Sequence, residues 1–183
     1  YYRDNYRNIV IKKEASQGKE NSPAIALQAH TDMICEKSPE SNHDFSIDGL
    51  ELYVDGDFIK AKGTTLGADN GIGVAIILAV LDCENIKAPK LECIFTSEEE
   101  TTMLGAINLD LANIESNRII SLDNGKEGKI LISSAECNEW KGKVNFTREK
   151  TDKPSFELVY DSFKGGHSGG NIGDETRGNP IKL

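Results

Sequence analysis

Three short apolar runs, residues 24–29, 91–95 and 118–122, set the pattern of this chain. Between the first two, residues 71–81 are apolar on every side, as expected of a buried helix. Between the last two, residues 106–113 carry apolar side chains at helical spacing. Strand, helix, strand, helix, strand predicts an α/β fold with a mostly parallel central sheet flanked by helices, its three strands buried. Residues 51–61 read as a β-hairpin, because Asp55-Gly56 stands between two alternating runs. After Ala135 the pattern changes. Residues 143–148 and 156–162 read as strands and a Gly-rich turn follows. The expectation is a first domain over 1–135 and the beginning of a smaller α+β domain over 136–183.

Composition narrows the partners. The 183 residues include 30 Asp+Glu against 21 Lys+Arg, a formal charge of −9. Phosphate binding needs basic surface, so neither nucleic acid nor an anionic membrane is expected as a partner. The longest apolar run, residues 74–81, is far short of the ~20 residues a membrane helix needs. Residues 1–8 have no apolar core of the signal-peptide kind. Cys35, Cys83, Cys93 and Cys137 are scattered without a C-x-x-C pair, which reads as reduced thiols of a cytoplasmic protein. The chain opens on Tyr1 rather than Met and stops at Leu183 as a new segment begins, so a piece of something longer is expected.

Each apolar run ends in residues able to do chemistry. The first ends His30-Thr31-Asp32, the second runs into Glu98-Glu99-Glu100, the third into Asp123-Asn124, and Asp69-Asn70 precede the apolar helix. In open α/β sheets ligands bind beyond the carboxyl ends of the strands. One imidazole and several carboxylates would therefore meet at one edge. Crowded carboxylates repel one another, and a divalent cation relieves this. A nitrogen with several oxygens suits zinc, with cobalt or manganese as substitutes, better than calcium. Residues i and i+2 of an extended chain face the same way, so Asp32 could reach the far side of the His30 ring and fix its tautomer. A Glu-Glu pair offers one ligand and one free carboxylate to take a proton from water. Taken singly, His-x-Asp is a polar strand end, the Glu run a solvated helix start, and Asp69-Asn70-Gly71 a turn. Together, at three successive strand ends, they favour a metal site.

The same residues resemble the M20-type metallopeptidases, most of all the aminoacyl-histidine dipeptidases. The matching stretches are residues 30–37, 62–73, 96–106, 121–128 and 165–179, in the family's order. Residues 63–73, Gly-Thr-Thr-Leu-Gly-Ala-Asp-Asn-Gly-Ile-Gly, carry the most specific match. The resemblance implies a zinc-exopeptidase-like catalytic domain through residue 135 and the start of a lid domain. It implies that His30 and Asp123 bind a first zinc, that Asp69 bridges two zincs, and that Asp32 orients His30. The spacing to Met103 matches Glu99 to the general base and Glu100 to the second zinc. His167, in the lid, would help hold the substrate carbonyl. The implied activity is zinc-dependent hydrolysis of short peptides, chiefly dipeptides ending in histidine. The resemblance also implies a homodimer formed through the lid.

Several positions depart from the family pattern. Thr101-Thr102 and Glu136-Cys137 stand where small residues are usual. The family's second zinc takes a further histidine from near the C-terminus of a chain well over twice this length. His43 sits in a polar loop and reads as a solvated residue instead. The chain alone is therefore expected to be weakly active or inactive. Two alternatives remain open: a non-catalytic metal-binding or interaction module of the same fold, and another M20 hydrolase such as a tripeptidase or aminoacylase. Cys35 lacks a placed base, and a thiol mechanism is not expected.

Overall fold

The computed structural model describes residues 1–125, 128–133, 141–159, 164, 171 and 174–177. The chain divides into two units, Tyr1–Ile130 and Leu131–Leu183. The first holds a five-stranded mixed sheet in the order β1-β2-β6-β3-β7. Its strands are β1 (Tyr2–Arg3), β2 (Ile9–Lys13), β3 (Ile25–His30), β6 (Leu91–Thr96) and β7 (Ile119–Ser121). β6, β3 and β7 run parallel, as the apolar runs predict. β1 and β2, which the sequence reading passed over, add an antiparallel edge. The sheet is thus mixed within the expected α/β class.

β6 is buried along its whole length, which is why it reads as an unbroken apolar run. Its residues alternate between two cores. Leu91, Cys93 and Phe95 join Ala29 and Ile77 beneath helix α1 (Ala68–Asp82). On the opposite face Ile94 packs with Val10 and Ala26. Burial pushes the Cys93 thiol up to about 11, so this cysteine is a core residue and not a nucleophile.

Four expectations need correction. Helix α1 forms, but it is buried on one face only: Asn70, Gly73 and Ile77 face inward while Ile72 is 61% exposed. Among the described residues nothing covers its outer face. β7 is likewise not a buried strand, with Ile119 62% exposed. It is the last strand of the sheet and has a neighbour on one side only. The helix expected over 106–113 is broken into α2 (Leu104–Ile107) and a 3-10 turn (Leu111–Asn113). Here the Asp110 carboxylate accepts from Ala112 N–H and Asn113 Nδ2, and such local side-chain bonds compete with a continuous helix. Of the strands expected over 143–148 and 156–162, residues 143–148 and 156–159 have no regular structure and pair with no strand among the described residues, and residues 160–162 lie outside the described residues.

The hairpin is present as β4 (Leu52–Asp55) and β5 (Phe58–Ala61). Asp55 pairs with Phe58, so the loop is Gly56-Asp57, one residue later than read.

The second unit contains a 3-10 turn at Glu175–Arg177, where Arg177 Nε donates to Asp174 at 2.8 Å.

The entry to β7 depends on one buried acid. Glu92, on the Ile94 face of β6, is 0% exposed. Its carboxylate accepts from the N–H groups of Glu115 and Ser116 and from the Ser116 hydroxyl. Lys12 lies 3.1 Å away and is shared with Glu115, which also pairs with Lys90. Burial alone would raise the Glu92 pKa. The Ser116 hydroxyl, the two N–H groups and Lys12 outweigh it and hold it at about 2.

Glu92→Gln should lower unfolding free energy near neutrality by about 1–3 kcal/mol, because donors lose a charged acceptor. The folded pKa lies below the ordinary 4.5, so this advantage is complete above that pH and fades as pH falls toward about 2. Urea melts of both proteins across this range check it. A gap between them that ignores pH contradicts it.

Candidate metal centre

The site lies at the carboxyl ends of β3, β6 and β7. Parallel pairing sets His30 opposite Thr96 and Gln28 opposite Ser121. The Gln28 carboxamide ties the strand ends together, donating to Thr96 Oγ1 at 3.0 Å and accepting from the Ser121 hydroxyl at 2.8 Å. Beyond the sheet, Thr31 N–H and its hydroxyl both donate to the Thr96 carbonyl.

His30 is 1% exposed. Its Nε2 lies 2.9 Å from Asp69 Oδ1 and 4.0 Å from Glu99 Oε2. Its Nδ1 lies 3.0 Å from the Asp32 carbonyl oxygen and 3.5 Å from the Asp32 carboxylate. The backbone of Asp32, more than its side chain, thus backs the ring. The carboxylate has another task that the sequence reading missed. Its two oxygens accept from Glu99 N–H and Glu100 N–H, each at 3.0 Å. Nothing in the spacing alone signals this, because it depends on how β3 meets β6.

The Glu run is a tight loop. Glu98 and Met103 both have positive φ, and Met103 N–H closes on the Glu98 carbonyl at 2.7 Å. The Glu98 carboxylate turns to the Thr102 hydroxyl. Glu99 and Glu100 are left as the pair over Asp32.

Asp69 comes from the start of α1. Gly67 stands before that helix at φ 71°, and Asp69 and Asn70 are still non-helical. Met33 packs against Gly67 so closely that a Cβ there would press on its sulfur. Asn70 is buried, and its Oδ1 accepts from Gly73 N–H.

Among the described residues, His30, Asp69 and Glu100 each offer a ligand atom, all within 4.8 Å of one another. Asp123 is outside this trio. It faces an adjoining cavity of about 260 Å³ that it shares with Asp69 and Asn70, walled by Ile72 and Leu122. His167 lies outside the described residues. His43 is not the solvated residue expected: it is half-buried, edge-on to Phe45 at 4.5 Å.

Electrostatics bind the group together. Burial lowers the His30 pKa, but the Asp69 hydrogen bond and the charges of Asp123 and Glu99 outweigh it, and the net shift is upward. Burial raises Glu99, and the neighbouring Asp123, Glu100 and Asp69 charges raise it further against His30. A cluster of one buried imidazole and mutually repelling carboxylates is the donor set a zinc-like cation neutralises.

The α/β fold is shared with solved peptidase structures. Aminoacylhistidine dipeptidase from Vibrio alginolyticus superposes with a TM-score of 0.67 at 43% identity, over 69% of this chain and 26% of that one. Aminopeptidase PepT from Bacillus cereus gives 0.50 at 26% identity, over 64% and 29%. The chain is also 41% identical over 172 residues to the cytosol non-specific dipeptidase of Escherichia coli (strain K12), covering 93% of this chain and 36% of that protein. No family model matches. The resemblance read from the motifs is borne out: the chain is homologous to M20 dipeptidases and spans about a third of the length of the Escherichia coli relative.

Gly67→Ala should cost about 1–2 kcal/mol from the left-handed backbone alone and displace Asp69. A thermal melt and a cobalt(II) titration should both register it. Unchanged metal affinity would contradict this account of how Asp69 is held.

Proposed function

We propose that this chain is the core of a zinc-dependent dipeptidase that hydrolyses short peptides, chiefly dipeptides ending in histidine. The observation that carries the reading is the convergence of His30, Asp69 and Glu100 ligand atoms within 4.8 Å, with the Glu99 carboxylate beside them. Homology to a cytosol non-specific dipeptidase and to an aminoacylhistidine dipeptidase supports the substrate class. The higher identity to the aminoacylhistidine dipeptidase, 43% against 26% for the aminopeptidase, favours this reading.

In this reading His30, Asp69 and Asp123 would hold a first zinc, and Asp69 and Glu100 a second, with cobalt or manganese as substitutes. Zinc, when bound, would supply a Lewis acid for the peptide carbonyl and acidify water. Glu99 takes the proton of the attacking water and returns it to the leaving amine. Asp32 keeps Glu99 and Glu100 in place through their N–H groups and orients His30 through its carbonyl. His167 holds the substrate carbonyl oxygen. Residues 1–135 form part of the catalytic domain, and residues 136–183 begin the lid. The protein works in the cytoplasm, as a homodimer. Among the described residues no helix is long and apolar enough to cross a membrane.

Glu99→Gln in the whole protein should lower hydrolysis of β-alanyl-histidine by about 10²–10⁴-fold while leaving zinc affinity nearly unchanged. Hydrolysis that survives this change removes Glu99 from the mechanism. Zinc affinity lost with it would make Glu99 a ligand instead.

A further inference from the structure

We infer that Asn8 is a positioning residue for the Glu99–Glu100 pair, clamping both ends of the loop that carries them. What the pair does chemically rests on the function proposed above, but the clamp is a separate matter of geometry. Asn8 lies immediately before β2, 0% exposed, and outside every motif of the sequence.

Its side chain uses three hydrogen bonds. Nδ2 donates to the Gly105 carbonyl at 2.8 Å and to Asp4 Oδ2 at 2.7 Å. Oδ1 accepts from Ser97 N–H at 3.3 Å. Ser97 and Gly105 are the two feet of the loop that holds Glu98 to Leu104. One buried carboxamide therefore fixes the loop where it leaves β6 and where it enters α2.

Neighbouring contacts tighten the same point. The Ser97 hydroxyl donates to the Tyr6 carbonyl at 2.5 Å. A Cβ at Gly105 would collide with the Ser97 backbone and the Asn8 carboxamide, so the feet touch because residue 105 has no side chain. Asp4 in turn braces Asn8, accepting from the N–H groups of Tyr6 and Asn8, each at 2.9 Å. Asn8 is thus held by the turn between β1 and β2.

With both feet fixed, the Asp32 carboxylate anchors the crown of the loop under Glu99 and Glu100. Asp32 holds the crown and Asn8 holds the base. Aspartate at position 8 keeps the shape but cannot donate to Gly105, and it sets a second carboxylate against Asp4. The Gly105 end of the clamp opens while the side-chain volume is kept.

The test is amide hydrogen exchange on the folded chain, with zinc affinity measured in parallel. In Asn8→Asp, the Glu99 and Glu100 amides should exchange about tenfold faster or more, the effect of losing the buried donor to Gly105 and the bond to Asp4. Amides of residues 91–95 in β6 should be unchanged. Zinc affinity should fall by about tenfold or more, the usual cost of losing support behind ligands. Asp4→Asn, which weakens the brace and leaves Asn8 in place, should show the same local pattern at smaller amplitude. It carries the test if Asn8→Asp does not fold. Loosening that extends through β6, or none at the loop, overturns the clamp. Loop loosening in a chain whose wild type binds no zinc leaves the clamp standing and overturns the metal-centre reading.

Discussion

The parallel register between β3 and β6 is the constraint on which the site depends. It places His30 opposite Thr96, so two strands separated by sixty residues of chain deliver their reactive ends to one place. A slip of one residue would turn every side chain of β3 to the opposite face. That would bury Gln28 in the Cys93 core and carry His30 away from Asp69. The register is protected by the packing of Ala29 with Phe95 beneath Ile77, and by Gln28 bridging Thr96 to Ser121. Once His30 and Thr96 are opposed, Asp32 lies under the loop that follows β6 and can receive both of its exposed N–H groups.

The site is consequently layered. His30 is buried and fixed by the sheet, while Asp69, Glu99 and Glu100 are brought to it by loops. Each loop has its own restraint: Gly67 against Met33 for Asp69, and Asp32 with Asn8 for the Glu pair. Loop residues set on a rigid sheet edge are a common way to place reactive groups, because the edge supplies precision and the loops supply reach.

Much of this was legible in the sequence because strand ends leave a local trace. A short apolar run that stops abruptly in His30-Thr31-Asp32 or Glu98-Glu99-Glu100 reads as a buried strand meeting solvent, and β3 and β6 do this. The Asp-Gly signal likewise located the hairpin, off by one residue in its turn. The misses share a cause. The bonds of Asn8 to Ser97 and Gly105 cross 89 and 97 residues and the bidentate use of Asp32 crosses 67 and 68, and spacing records nothing of them. Ile72 and Ile119 look like core residues from their chemistry alone. Their exposure depends on what packs beside α1 and β7, which hydropathy does not encode. Residues 143–148 alternate like a strand, but a strand also needs a partner edge.

The central claim is that three strand ends and the start of α1 build one metal centre. Anomalous diffraction at the zinc edge, from crystals of the zinc-loaded protein, tests it most directly. The account predicts zinc peaks at this edge, one within bonding distance of His30 Nε2, Asp69 and Asp123 and one within bonding distance of Asp69 and Glu100. A peak at other residues only, or none at this edge of the sheet in zinc-saturated crystals, would contradict it.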